Sequence, residues 1–107
     1  MPDGVTSSPR VSVVVPIYNE EPNIATLLSE LNRELDKLGE PYEVVAVDDG
    51  SADASARLLT EAQPDRPWLR VIQFAQNRGQ TAAFLAGFRA ARGEVIVTID
   101  ADLQNDP

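Results

Sequence analysis

The chain alternates between apolar runs of strand length and longer stretches with helical spacing. Val11 to Pro16 is an almost unbroken β-branched run, the pattern of a strand buried on both faces. Ile24, Leu27, Leu28, Leu31, Leu35 and Leu38 then recur at three- and four-residue intervals, which predicts a core-facing helix with Pro22 in its first turn and Gly39 closing it. Glu43 to Val47 predicts a second strand running into Asp48, Asp49 and Gly50. Ser51 or Asp53 is placed to cap a short helix carrying Leu58, Leu59 and Ala62, and Pro64 to Pro67 reads as a loop. Leu69 to Phe74 predicts a third strand whose Arg70 and Gln73 mark it as an edge. Gln80 to Arg92 reads as an Ala-rich helix with Gly93 at its C′ position, and Ala83, Gly87 and Ala91 let it lie close on a sheet. Val95 to Ile99 is a fourth apolar strand. Strands alternating with helices predict an α/β domain with a parallel, right-handed βαβ sheet.

Composition narrows the chemistry. With 107 residues, 43% of them apolar, the chain builds one small domain of modest expected stability. No Cys and no His are present, which excludes thiolate and imidazole metal sites, disulfides, and catalytic dyads or triads built on those residues. Any metal must be held by oxygen. Nine basic against seventeen acidic residues give a net charge of −8, which disfavours nucleic acid or an anionic membrane as a partner of this segment. No window approaches eighteen apolar residues, and residues 1–10 lack the charged-then-apolar order of a signal peptide, so the segment reads as cytoplasmic with a disordered leader over 1–10.

In an open parallel sheet, ligands collect at the carboxyl ends of the strands, and the unusual residues fall there. Tyr18, Asn19 and Glu20 follow strand one, Asp48 and Asp49 strand two, Asn77 to Gly79 strand three, and Asp100 and Asp102 strand four. Each group also has a purely structural reading. Asp102 or Asn105 can cap a following helix, while Asp100, Asp102 and Gln104 together offer oxygens suited to Mg²⁺ or Mn²⁺. Asp48-Asp49-Gly50-Ser51 can be an Asp-Gly turn into a capped helix, or a carboxylate that accepts from a base N–H or a ribose hydroxyl. Glu20 and Glu21 can simply complement a helix dipole; Tyr18, which that role does not need, can line a base pocket. Arg78 can be a solvated turn residue or face a phosphate, with Gly79 opening the helix.

Together, Pro16-Ile-Tyr-Asn-Glu20, Val47-Asp-Asp-Gly-Ser51, Asn77-Arg-Gly79 with Ala83 and Gly87, and Asp100-Ala-Asp-Leu-Gln104 resemble glycosyltransferase family 2 in order and spacing. The Asp-Ala-Asp-Leu-Gln form is similar to the branch that transfers a sugar to polyprenyl or dolichyl phosphate. The resemblance covers residues 11 to 107; Ala52 departs from the Thr or Pro of many relatives. It implies a Rossmann-like, three-layer αβα arrangement with a four-stranded parallel sheet, the nucleotide-sugar-binding half of a GT-A fold, truncated before the acceptor-binding half. It further implies that Pro16, Tyr18 and Glu20 border the nucleoside and that Asp49, with Asp48, contacts base or ribose. Arg78 and Gly79 would lie in the donor-side loop, and Asp100, Asp102 and Gln104 would hold the metal, with Asp100 and Asp102 as the catalytic pair.

The implied reaction of the full-length form is an inverting displacement at the anomeric carbon of a UDP- or GDP-sugar by a lipid phosphate, at the cytoplasmic face of a membrane. An acceptor that is already an anion lessens the need for a general base, consistent with a chain without His. The 107 residues alone are expected to have little transfer activity. A sugar-phosphate nucleotidyltransferase is a rival, but its Gly-rich loop after strand one is missing; a phosphoacceptor receiver domain would place acids there instead. A non-catalytic nucleotide-binding fragment is the remaining alternative.

Overall fold

Four parallel strands and three helices make up the computed structural model, which describes residues 8–101. The strands are β1 (Val11–Ile17), β2 (Tyr42–Asp48), β3 (Leu69–Gln73) and β4 (Val95–Thr98); the helices are α1 (Ile24–Asp36), α2 (Ser55–Ala62) and α3 (Gln80–Ala90). The sheet order is β3-β2-β1-β4, with Val11 in register with Tyr42 on one side and Val95 on the other. The two central strands are the β-branched runs, buried along almost their whole length. Residues 1–7 of the expected leader, and Asp102 to Pro107, lie outside the described residues.

Alternation along the strands divides the core into two layers. Val13, Val15, Ile17, Val44 and Ala46 meet Ile24, Leu27, Leu28, Leu35 and Leu59 of α1 and α2 on one face. Val45 and Val47 meet Ala83 of α3 on the other, with Ile72, Phe74, Ala86 and Ala90 around them. The result is the three-layer αβα arrangement. α3 lies so near the sheet that a Cβ on Gly87 would collide with the side chain of Val14, which is why small residues occupy that stripe.

Several boundaries differ from the sequence pattern for identifiable reasons. Pro22 sits in a 3₁₀ turn (Glu21–Asn23) ahead of α1, and Leu38 falls beyond the helix and is 50% exposed. Ser51 caps no helix. Its hydroxyl instead binds the Asp48 carboxylate at 2.6 Å, and Asp53 serves the start of α2 by accepting from the Ser55 N–H at 2.9 Å. α3 ends at Ala90, with Ala91 already extended, so Gly93 is not a left-handed helix cap. Gly93 is needed because a Cβ there would press on Ser12, whose Oγ accepts its N–H at 2.8 Å. β3 is an edge as expected. β4 is the other edge, and Val95, Ile96 and Val97 are 40–45% exposed, since among the described residues no strand pairs with its outer side.

At the amino ends of the strands, buried Glu43 ties the layers together. Its carboxylate accepts from Ser12 Oγ (2.6 Å), the Arg92 N–H (2.7 Å) and Arg70 Nη1 (2.9 Å), and Arg70 also donates to the Ala90 carbonyl at the end of α3. Burial pushes the Glu43 carboxyl up, but these donors outweigh it and hold the group below the usual carboxylate range.

Candidate nucleotide-sugar site

The carboxyl ends of all four strands open into one crevice of about 350 Å³. β1 contributes Pro16 and Ile17 and hands the chain to Tyr18 and Glu20; β2 delivers Asp49; the loop after β3 supplies Asn77 and Gly79; α3 begins with Gln80; and β4 leads to Asp100. Of the residues assigned from sequence, Pro16, Tyr18, Glu20, Asp49, Gly79 and Asp100 share this crevice. Asp102 and Gln104 lie outside the described residues. Ile17, Asn77 and Gln80 also line it; Ile17 and Asn77 stand inside the motifs that follow strands one and three, and the sequence signal for Gln80 is its place at a helix start.

Two loops are laced together to make the wall beside Tyr18. Asn19 adopts φ 53°, the left-handed region that Asn tolerates better than most residues. There its N–H donates to Ser51 Oγ and its Oδ1 accepts from the Ala52 N–H, both at 2.8 Å. The Glu20 N–H donates to Ser55 Oγ at 2.8 Å. Two further bonds cross the same seam: the Glu21 N–H to Asp53 Oδ2 and the Ala54 N–H to Glu21 Oε1, both 3.1 Å. Burial pushes the Asp53 carboxyl up, yet the hydroxyl and N–H of Ser55 and the N–H of Glu21 more than offset that and keep it low. Asn19, Ser51, Asp53 and Ser55 therefore build the frame, leaving Tyr18 half exposed over the opening.

Asp48 and Asp49 are both buried, with different surroundings. Asp48 accepts from the N–H and Oγ of Ser51, closing its own turn, and does not line the crevice. Asp49 faces the opening, and its carboxylate accepts from the loop after β3: Arg78 N–H at 2.6 Å, Gly79 N–H at 3.0 Å and Asn77 Nδ2 at 3.0 Å. The Arg78 guanidinium lies over the Phe74 ring, 5.8 Å from its centroid, in a separate groove with Leu85 and Arg89. To reach a phosphate in the crevice it must leave that ring.

The lining thus carries three carboxylates, Glu20, Asp49 and Asp100, and no Lys or Arg among the described residues. Such a site repels a diphosphate unless a divalent cation lies between them, and every side-chain donor available is oxygen, the ligand type that Mg²⁺ and Mn²⁺ prefer. Among the described residues no three acidic side chains cluster closely enough to hold a metal; Asp100 is the described member of the expected set.

The model of the family described as glycosyl transferase family 2 matches residues 12–107. The chain belongs to glycosyl transferase family 2. An undecaprenyl-phosphate 4-deoxy-4-formamido-L-arabinose transferase from Pectobacterium atrosepticum is 50% identical over 100 residues, covering 92% of this chain and 30% of the relative. A transferase of the same name from Pseudomonas fluorescens is 50% identical over 91% of the chain and 29% of the relative. The family 2 chain therefore spans about 30% of the length of these relatives. Among solved structures, the mannosyltransferase PcManGT from Pyrobaculum calidifontis, in complex with GDP-Man and Mn²⁺, superposes with a TM-score of 0.74 at 32% identity, covering 92% of this chain and 29% of that one. TarS 1-349 of S. aureus in complex with UDP-GlcNAc gives a TM-score of 0.70 at 30% identity, covering 87% and 26%. No helix among the described residues is long and apolar enough to cross a membrane.

Proposed function

We propose that this chain forms the donor-binding half of a glycosyltransferase and holds a nucleoside-diphosphate sugar through a divalent cation. In the longer protein the sugar would pass to a polyprenyl phosphate, the acceptor class that the names of the relatives print, and we place that transfer at the cytoplasmic face of a membrane. The observation that carries the reading is the shared crevice at the carboxyl ends of four parallel strands, walled, among the described residues, by three carboxylates and no cationic side chain.

The nucleoside lies against Pro16, Tyr18 and Glu20, where the exposed Tyr18 ring offers apolar surface to a base and Glu20 a hydrogen-bond acceptor. The diphosphate extends toward Gly79 and Gln80, where the absence of a side chain at Gly79 leaves room for close approach. Asp100, with Asp102 and Gln104, would hold Mg²⁺ or Mn²⁺; when bound, the cation supplies charge stabilisation to the departing diphosphate. Asp48 contributes through the turn it closes on Ser51, and Arg78 by moving from Phe74 toward the donor.

The test is a thermal-shift series with UDP, GDP and their sugars, each in Mn²⁺ and in chelator, on the wild type, Asp100→Asn and Asp102→Asn. A ligand at 100 times its Kd stabilises by about 2.7 kcal/mol, a shift of several degrees for a domain this small. One nucleotide family should raise the midpoint in Mn²⁺ only, with the shift lost in both variants. A cooperatively folded chain that shows no shift with any of these ligands refutes the proposal.

A further inference from the structure

A polar cluster at the far end of the sheet bears on the crevice, and the inference it carries rests on the metal-dependent reading above. β4 is four residues long, pairs only with β1 among the described residues, and leads to Asp100. Its apolar pattern does not say how far along β1 it should sit. Val95, Val97 and Ile99 share one face, so a slip of two residues would keep every apolar side chain on its own side of the sheet and move Asp100 by about 6.6 Å along the strand. A displacement of that size takes a carboxylate out of the bonding range of a cation held by its neighbours.

What distinguishes one register from another is polar. The Gly93 N–H donates to Ser12 Oγ at 2.8 Å, that hydroxyl donates to Glu43 Oε2 at 2.6 Å, and the same carboxylate oxygen accepts the Arg92 N–H at 2.7 Å. The Arg92 side chain adds Nε and Nη2 to Glu43 Oε1, both at 3.3 Å. Ser12 and Glu43 are buried in the two central strands, so a slip of β4 would leave their oxygens short of donors and away from water. Sterics favour the same register. A Cβ on Gly93 would come within 2.7 Å of Ser12 Oγ and 2.8 Å of its backbone nitrogen, and a slip of two residues in either direction would bring Ala91 or Val95 to that place. The Arg10–Glu94 ion pair spans the same two strands, but both side chains are exposed and such pairs contribute little. We infer that Ser12 and Glu43 are positioning residues: their clasp on Arg92 and Gly93 sets the register of β4 against β1, and through it the depth at which Asp100 meets the cation.

The register is read directly by NMR in the ligand-free 107-residue chain, for the wild type, Ser12→Ala, Arg92→Ala and Leu35→Val. The last of these trims the core at the C-terminal end of α1 and leaves the clasp intact. In Ser12→Ala the cross-strand NOEs that pair Val11 with Val95 and Val13 with Val97 should weaken at least about twofold or give way to a set displaced by two residues, while those pairing Val13 with Val44 keep their intensity. UDP and GDP are then titrated, and the Mn²⁺ concentration that gives half-maximal binding should rise about tenfold in Ser12→Ala and stay within about twofold of wild type in Leu35→Val. Arg92→Ala, at an exposed side chain, keeps the backbone bond to Glu43 and should shift both readouts less; it decides the question by the same criteria if Ser12→Ala fails to fold. A folded Ser12→Ala with wild-type NOEs, or with an unchanged Mn²⁺ requirement, overturns the inference. So does an equal rise in Leu35→Val. A wild type that binds neither nucleotide refutes the function proposed above, whereas the NOEs still decide whether the clasp sets the register.

Discussion

Individual polar side chains in this molecule act mostly by satisfying backbone donors that the strand ends leave open. Asn19, Ser51, Asp53 and Ser55 do so between the first two loops, Asp49 for the third, and Glu43, for the Arg92 N–H, at the opposite end of the sheet. Glu43 offers a test of this bonding that is independent of the crevice. Its folded carboxyl lies below the unfolded value, so near pH 4 the native state binds fewer protons than the unfolded chain. The stability it confers is fully present above the unfolded value of about 4.3 and is lost as pH falls through the folded value. Glu43→Gln should cost about 1–3 kcal/mol at pH 7 in urea unfolding. The gap from wild type should narrow steadily between pH 5 and about pH 3. A gap that stays constant over that range would show that the carboxylate charge is not what the three donors hold.

Among the elements, α3 departs most from a simple amphipathic helix. Its sheet-facing stripe is made of Ala83, Gly87 and their neighbours, while Leu85 and Phe88 on its other sides are 46% and 41% exposed. Two effects compete at Gly87. Replacing a mid-helix glycine by alanine ordinarily stabilises by about 1 kcal/mol, but a methyl here meets the side chain of Val14, which is fully buried and has nowhere to move. Overpacking of that kind costs about 1–3 kcal/mol, so the net effect of Gly87→Ala should be a loss of unfolding free energy of about 1 kcal/mol, and at most about 2. A stabilised variant would mean that α3 can lift from the sheet without loss. The pattern of small residues at 83, 87 and 91 was readable as a close-packing stripe; the exposed aromatic side was not, because periodicity cannot say which of two apolar faces finds a partner.

For the molecule as a whole, the two sheet edges are unequal. β3 is shielded by polar Arg70 and Gln73, whereas β4 presents Val95, Ile96 and Val97 beside an edge unpaired among the described residues. An apolar, open strand edge is a template for pairing with other chains. Ile96→Lys should therefore leave the unfolding midpoint within the equivalent of about 0.5 kcal/mol while sharply reducing light scattering on heating. Unaltered scattering would locate the self-association elsewhere on the surface. The same edge bears on function, since Asp100 lies just past β4 and its position depends on how firmly that strand is held.

From sequence alone the strand and helix order, the parallel sheet, the family and the gathering of four loops at one end were all determined. Each follows from local periodicity and from the rule that βαβ units place their connecting loops at the carboxyl ends of the strands. What those loops do to one another came only from the tertiary structure. Of the two residues placed to cap α2, Ser51 closes on Asp48 and Asp53 serves the helix start; Asp49 accepts from a loop some thirty positions away; Arg78, open from sequence to a solvated or a phosphate-facing role, rests on Phe74. A hydrogen bond between residues distant in sequence leaves no periodic trace. Which buried carboxylate meets a ligand and which meets its own backbone is fixed only when the strands align and bring the loops to within 3 Å.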